Sequence, residues 1–174
     1  MLTFLFLLLF GSHAPAARPW RIYVYPSESR GTFHFAYPPT WMLEQQGGST
    51  VLSSPEHDLS MTLSVHGAQD DIAAIRNPSD QAEACAAAHL QDQGGPFAST
   101  PTRSSLITMN WRAVSFEARG RQAGEETIRY SMCFKGEESY PLVSITSTAR
   151  ASAFNSHRDE IARISESVRF RPAA

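Results

Sequence analysis

Apolar and polar side chains alternate along much of this chain, and a period of two predicts β-strands. The clearest case is "FHFAYPPTW" at residues 33–41, where aromatic rings occupy every second position up to Tyr37. Because proline has no N–H and holds the preceding residue extended, the strand is predicted to end at Tyr37. We expect Trp41 to fold back over the end of the core. The residues predicted to be structural here are Phe33, Phe35, Tyr37, Pro38, Pro39 and Trp41.

The same alternation predicts strands on both sides of this segment. One precedes it at residues 20–25, across a polar turn at 26–31, and two follow it near 50–53 and 59–66. The second half of the chain is predicted to be a four-stranded antiparallel meander with the links "NW", "GRQAG" and "KGEES". The predicted strands of this meander are residues 105–109, 112–119, 126–135 and 140–149.

Helical periodicity occurs in two segments. Asn77 and Pro78 suit the N-cap and first turn of a helix that Gly94 and Gly95 would end. Its inward face has small side chains and is predicted to lie close to a sheet; that face comprises Ala82, Cys85, Ala86, His89 and Leu90. The C-terminal segment predicts a second helix capped by Asn155 or Ser156, followed by Phe170 in a short strand. Its predicted buried side comprises Phe154, Ile161, Ile164 and Val168.

The N-terminus is typical of an export signal. The run "LTFLFLLLF" is about half the roughly 20 residues that a membrane-spanning helix needs. The small-residue pattern "APA" follows it, so we interpret residues 1–16 as a signal peptide that is removed, with a buried N-terminal strand as the alternative. Residues 17–174 would then form a single domain in the periplasm or outside the cell, with no membrane span after cleavage.

The composition limits the kinds of partner that the chain is expected to bind. The chain has 15 basic and 17 acidic residues, which gives no long-range field to attract nucleic acid. The two cysteines, Cys85 and Cys133, are too few and too far apart along the chain for a thiolate metal site or a redox CxxC pair. In an oxidising compartment they are predicted to form a disulfide, and two buried thiols are the alternative.

Catalytic patterns are absent from the sequence. No G-x-S-x-G elbow occurs, and "GRQAG" lies between two predicted strands, so it is interpreted as a hairpin turn and not as a phosphate loop. His57 and Asp58, beside Glu56 and with His34 or His66 from nearby strands as a fourth partner, are the best metal candidates, but a polar hairpin tip is the preferred interpretation. We therefore predict no catalytic residue, no metal and no cofactor.

Exposed aromatic and basic side chains are the better indication of function. Tyr23 and Tyr25 occupy the second face of the first strand, and Trp111 lies in a predicted tight turn. Arg119 and Arg121 could contact an acidic partner. These five residues are the predicted partner-binding set, and coverage of the aromatic rings by the protein's own helices is the alternative.

The order of these elements resembles the PsbP/DcrB-like family. The resemblance is carried by the strand ending in "YPPTW", the following "VLSS", one helix, a four-strand meander and a final "ISESVRF". It implies an α+β fold: an α/β/α sandwich with an antiparallel sheet of six to seven strands and two main helices. Because such proteins serve photosynthesis, transport and secretion, the resemblance by itself indicates no particular role.

The function predicted from the sequence is an exported, non-enzymatic binding or accessory protein of the bacterial envelope that docks a protein partner. An immunity or inhibitor protein, or a secretion accessory, would fit. Two alternatives stay open: a metal-dependent or other hydrolytic enzyme centred on His34, His57 and Asp58, and a carrier of a small apolar ligand held between helix and sheet.

Overall fold

The computed structural model describes residues 19–25, 32–66, 75–92, 100–107, 111–136 and 141–171. The predicted signal peptide, the turn at 26–31 and the predicted helix stop at Gly94 and Gly95 lie outside these ranges. The strands are β1 Arg21–Tyr25, β2 Thr32–Tyr37, β3 Met42–Gln46, β4 Ser49–Ser53, β5 Ser60–His66, β6 Thr102–Ile107, β7 Arg112–Gln122, β8 Glu125–Lys135, β9 Leu142–Arg150 and β10 Arg169–Arg171. The helices are α1 Pro78–Asp92, α2 Ala151–Ser156 and α3 Arg158–Ser167.

The strands form two antiparallel sheets. The large sheet has seven strands in the order β3-β4-β5-β9-β8-β7-β6, and the small sheet has the order β1-β2-β10. Helix α1 packs on one face of the large sheet, against β7, β8 and β9, and α3 packs beside β2. The predicted α+β sandwich with an antiparallel sheet of six to seven strands is confirmed, whereas the separate small sheet was not predicted.

The aromatic strand β2 is the centre of the larger core. Phe33 and Phe35 are 2% and 0% exposed, and Tyr37 packs against them from the edge. The backbone N–H of Trp41 donates to the carbonyl oxygen of Pro38 at 3.1 Å, which closes the turn after the two prolines. Trp41 itself is 2% exposed, so the predicted role of this ring in covering the core is confirmed.

Helix α1 forms the second, smaller core. The side-chain oxygen of Asn77 accepts a hydrogen bond from the N–H of Ser79 at 2.9 Å, as expected of an N-cap. Ala82, Cys85 and Ala86 are buried against Val114 and Cys133 of the large sheet. Because these small side chains pack directly on the sheet, this interface gives no support to the alternative of a small-ligand carrier.

The Cys85–Cys133 disulfide is confirmed, and it joins α1 to β8 with 6.0 Å between the two Cα atoms. The cysteines are 48 residues apart in the sequence. On the chain-entropy model, a loop of this length stabilises the fold by about 4 kcal/mol.

Four predictions about the elements are wrong. Strand β6 begins at Thr102 and not at residue 105. Strand β3 was missed because "MLEQQ" has little apolar alternation, and pairing with β4 through Gly47 and Gly48, at φ 55° and 87°, makes it extended. The β7–β8 turn is tighter than "GRQAG", since Ala123 and Gly124 alone occupy it with positive φ. Neither Asn155 nor Ser156 caps the last helix, because both lie in α2 and the chain breaks at His157.

The predicted buried side of the C-terminal segment is confirmed. Its members Phe154, Ile161, Ile164 and Val168 are at most 3% exposed. Phe170 lies in β10, the predicted closing strand, opposite Phe33 of β2. Within the ranges that the structure describes, no helix combines the length and apolar character that crossing a bilayer demands.

We predict that Trp41→Ala lowers the free energy of unfolding by about 3–5 kcal/mol, because it leaves a large cavity at the end of the core. Trp41→Phe should cost much less, since the buried indole N–H has no hydrogen-bond partner among the described residues. Urea denaturation measures both values.

The matched control is Met42→Ala, at a neighbouring side chain that is 43% exposed and should change stability by less than about 0.5 kcal/mol. Equal losses for Trp41→Ala and Met42→Ala would contradict the role assigned to Trp41.

Candidate functional site

The two predicted docking tyrosines face inward. The ring of Tyr23 lies 5.4 Å from that of Phe35, and its hydroxyl oxygen accepts a hydrogen bond from the side-chain amide of Gln45. The hydroxyl of Tyr25 donates to the carbonyl oxygen of Gly48 at 3.1 Å. Both residues are half-buried and not fully exposed, because their phenol groups reach polar partners on the β3–β4 hairpin while the rings pack on the core. Their role in partner binding stays a prediction.

Trp111 is also covered. It is 4% exposed, and its ring meets Phe170 edge to face with 5.6 Å between centroids. Strand β10 brings Phe170 over this ring, which the sequence position of Trp111 in a predicted turn did not indicate. Because its ring is buried, Trp111 does not supply the exposed surface that its predicted role in partner binding requires.

Arg119 and Arg121 remain accessible on β7. Both are exposed, and the guanidinium of Arg119 forms an ion pair with Glu126 at 2.6 Å, while Arg121 lies opposite Glu126 in the register. Because an exposed pair of this kind is weak, the arrangement leaves both side chains able to exchange partners. Their role in binding stays a prediction.

The exposed apolar side chains of the small sheet lie on its other face. Ile22 and Val24 of β1 are 70% and 51% exposed, and they lie opposite Ala36 and His34 of β2. Arg169 of β10 lies opposite His34 on the same face. The alternation of β1 showed two faces but could not show which one is buried, so sequence reasoning chose the wrong one.

We call this surface the outer patch, defined by Trp20, Ile22, Val24, Arg163 and Arg169. The guanidinium of Arg163 lies 4.1 Å above the ring of Trp20, a cation–π distance. Arg169 donates to the carbonyl oxygens of Glu166 and Val168, which holds it beside the end of α3. Strand β1 pairs with β2 alone among the described residues, so its second edge borders the patch without a strand partner there.

The residues of the alternative metal site are only partly brought together. Glu56 and Asp58 meet His157, with one ligand-type atom from each within 4.8 Å of the others, and neither His57 nor His34 belongs to this group of described residues. His57 is exposed in the turn with φ 56°. The alternative site centred on His34, His57 and Asp58 is therefore not assembled, because the break between α2 and α3 brings His157 there instead.

Hydrogen bonds already connect this cluster. Asp58 accepts a hydrogen bond from the Ser54 hydroxyl at 2.6 Å and lies 3.3 Å from Nε2 of His157. Nδ1 of His157 is 2.7 Å from a carboxylate oxygen of Glu160. A ring that donates to two carboxylates has to be protonated, so we interpret the cluster as an ion-paired clamp between the β4–β5 turn and α3.

The pKa values agree with this interpretation. Burial lowers the pKa of His157, but the hydrogen bonds and charges of Glu160 and Asp58 outweigh burial and raise the pKa above its ordinary value. The hydrogen bond from Ser54, aided by the charge of His157, lowers the pKa of Asp58.

A pair of histidines forms a second polar cluster, on the opposite face of the large sheet. Nε2 of His66 is 3.2 Å from Nε2 of His89 and 2.7 Å from the hydroxyl oxygen of Ser144. Burial, followed by the charge of His89, lowers the pKa of His66 to about 4, and burial lowers the pKa of His89. His89, which was predicted to lie on the inward face of α1, is partly buried there and contacts His66.

The two sheets, with a helix on each side, form a PsbP-like α+β sandwich. No protein-family model and no curated protein matches the sequence. The chain is similar in structure to cyanobacterial PsbP (CyanoP) from Synechocystis sp. PCC 6803, with a TM-score of 0.60 and 10% identity over 93% of this chain and 99% of that one.

Two other solved structures share the architecture. LpqN of Mycobacterium tuberculosis has a TM-score of 0.62 and 9% identity, over 89% of this chain and 93% of its own. The Ran-binding protein Mog1p of Saccharomyces cerevisiae has a TM-score of 0.58 and 7% identity, over 87% and 95%. The predicted PsbP-like resemblance is thus confirmed as a fold, and at these identities the likeness carries no residue roles.

We predict that His157→Gln removes a pH-dependent part of the stability. Because the folded pKa of His157 is raised, its charge contributes fully below the unfolded value of 6.5, and this contribution is lost as the pH rises through the folded pKa. The carboxylates are partly exposed, so the difference from wild type should be about 0.5–1 kcal/mol near pH 6 and smaller near pH 9. Urea denaturation across this range measures it.

The control is His57→Asn, in the same turn, where asparagine tolerates the positive φ. A difference for His157→Gln that stays constant with pH would contradict the ion-pair assignment, and so would the same profile for His57→Asn.

Proposed function

We propose that this protein is an exported, non-enzymatic accessory protein that binds a protein partner through the outer patch. The observation that carries the proposal is the exposure of Ile22 and Val24 on β1, a strand whose second edge has no strand partner among the described residues. An exposed apolar strand at a sheet edge is a template for pairing with another chain. The predicted immunity, inhibitor or secretion role is a finer form of the same proposal.

The partner we propose is an extended, acidic segment that adds a strand to β1. Main-chain hydrogen bonds to the edge of β1 that lacks a strand partner within the described ranges would supply affinity, and Ile22 and Val24 would supply apolar contact. Arg21 and Arg163 are exposed near the start of β1, where Arg163 stacks on Trp20, whereas Arg169 lies on β10, on the far side of β2 from this edge. Carboxylates on the partner would complement the guanidinium groups of Arg21 and Arg163 and favour this register of pairing.

Export is supported by two independent features. The N-terminal apolar run has the layout of a signal peptide, and the Cys85–Cys133 disulfide is of a kind that persists in oxidising compartments. Among the structural neighbours, LpqN is described as involved in cell envelope biogenesis and Mog1p as Ran-binding, which agrees with an accessory role at the envelope and with a protein partner. The proposed location is the periplasm or the exterior.

We predict that the exported protein begins at Ala17 and carries the disulfide, because cleavage is proposed after Ala16. N-terminal sequencing of the protein from a periplasmic fraction, with thiol alkylation before reduction, measures both properties. A chain that keeps Met1 in the cytoplasm, or that alkylates at both cysteines without reduction, would contradict export.

We predict that a photo-crosslinking residue at position 22 or 24 yields the same heterologous adduct in envelope extracts of the source organism, because both positions face the proposed partner. Mass spectrometry of the adduct should identify an acidic segment. The matched control is position 104, at the exposed Ser104 on β6, which is an edge strand of the large sheet. Arg163→Glu should reduce the adduct several-fold, and Arg121→Glu should not.

Other outcomes would overturn the proposal. An adduct of twice the chain mass would indicate a second copy as the occupant of the patch. Equal yields from positions 22 and 104 would indicate non-specific contact. Loss of the adduct in Arg121→Glu alone would place binding at the β7–β8 hairpin.

A further inference from the structure

The disulfide lies beside the two paired histidines, so three ligand-type side chains meet between α1 and the large sheet, and a fourth is bonded to one of them. One ligand atom from each of His66, Cys85 and His89 lies within 4.8 Å of the other two. Cys133 is held next to this group by its bond to Cys85, although it does not belong to the group while the disulfide is formed. Three separate elements supply these residues: β5 supplies His66, α1 supplies Cys85 and His89, and β8 supplies Cys133.

The geometry of the histidines suits a tetrahedral metal. Two imidazole nitrogens bound to one zinc ion at about 2.0–2.1 Å would be about 3.3–3.4 Å apart. In this structure the two Nε2 atoms are 3.2 Å apart. Cys85 and His89 are four residues apart on one helix face, the spacing that directs two side chains toward the same point.

The surroundings limit which ions would enter. Cys85 and Cys133 are 1% and 0% exposed, while both histidines are partly exposed and provide the route from solvent. Two thiolates and two imidazoles form the ligand set that structural zinc sites use, and they are poor ligands for magnesium or calcium.

We propose that, when the Cys85–Cys133 disulfide is reduced, Cys85, Cys133, His66 and His89 bind one zinc ion. The bond between the two sulfurs is the feature that keeps them from acting as thiolate ligands. Once it is broken, rotation about each Cα–Cβ bond lets the sulfurs separate across a Cα–Cα distance of 6.0 Å. The Ser144 hydroxyl, which now contacts His66 Nε2, would give up that position to the metal.

The step requires a two-electron reductant, such as a dithiol. The dithiol transfers two electrons and two protons to the disulfide, so it becomes a disulfide itself and leaves two thiols on Cys85 and Cys133. Zinc then binds two thiolates and two neutral imidazoles, and the two thiol protons are released to solvent. A disulfide oxidant reverses the sequence: it accepts two electrons from the two thiolates and takes up two protons to become a dithiol, so the Cys85–Cys133 bond re-forms and the ion is released.

Both states of this site would hold α1 on the sheet. The disulfide joins α1 to β8, whereas the zinc ion would also join β5 through His66. Zinc would thus stabilise the reduced chain before it meets an oxidising compartment. This inference does not depend on the outer patch or its partner.

Cobalt(II) is the probe for the test, because a tetrahedral cobalt–thiolate site absorbs with a characteristic charge-transfer band. The purified protein is reduced with a phosphine and titrated with cobalt, then with zinc in competition. We expect a thiolate band that saturates at one equivalent in the reduced protein and is absent in the oxidised protein. Zinc should displace cobalt and raise the melting temperature of the reduced protein alone.

The variants His66→Ala and His89→Ala should each weaken binding by about 100-fold or more, since loss of an outer partner alone costs 10–100-fold. The control is His57→Asn, an exposed histidine away from the cluster, which should bind like wild type. Formation of the Cys85–Cys133 disulfide in the oxidised variants shows that α1 still docks. If one variant does not fold, the other carries the test.

Three results would overturn the proposal. Reduced wild type could give no thiolate band, both histidine variants could bind as tightly as wild type, or the oxidised protein could bind with the same affinity and spectrum.

Discussion

The fold depends on a break in one hydrogen-bond ladder. Strand β2 carries the rings that fill the larger core, and Pro38 and Pro39 follow it at once, so it cannot continue as a strand. The chain turns through the Pro38–Trp41 hydrogen bond and enters the large sheet at β3. One corner therefore produces two sheets that face each other across a shared aromatic core.

That separation decides which surfaces are accessible. In the small sheet, Tyr23 and Tyr25 point at the core and at the β3–β4 hairpin, which leaves Ile22 and Val24 outside. The end of the chain returns as β10 beside β2, and there Phe170 covers Trp111. The packing of the small sheet on the core thus decides that Ile22 and Val24 form the candidate binding surface.

The two faces of the large sheet are held differently. On one face, aromatic packing is reinforced by the ion-paired clamp of His157 with Asp58 and Glu160. On the other, α1 carries small side chains and contributes little apolar area, so a covalent bond to β8 supplies much of the attachment. The histidines lie at this second attachment, where a change of redox state would alter the connection between helix and sheet.

Local pattern by itself determined the strands with strong alternation, the proline corner, the α1 N-cap and the burial of Phe33, Phe35 and Trp41. These follow from backbone chemistry and side-chain period, which act over a few residues. Strand β3 lacks such a pattern and became visible only through its pairing with β4. The tertiary structure decided the remaining features. It turns Tyr23 and Tyr25 inward and covers Trp111, and it brings His157 to Asp58 and His66 to His89. These contacts join residues far apart along the chain, and the free energy that selects them comes from packing between elements, which no local period records.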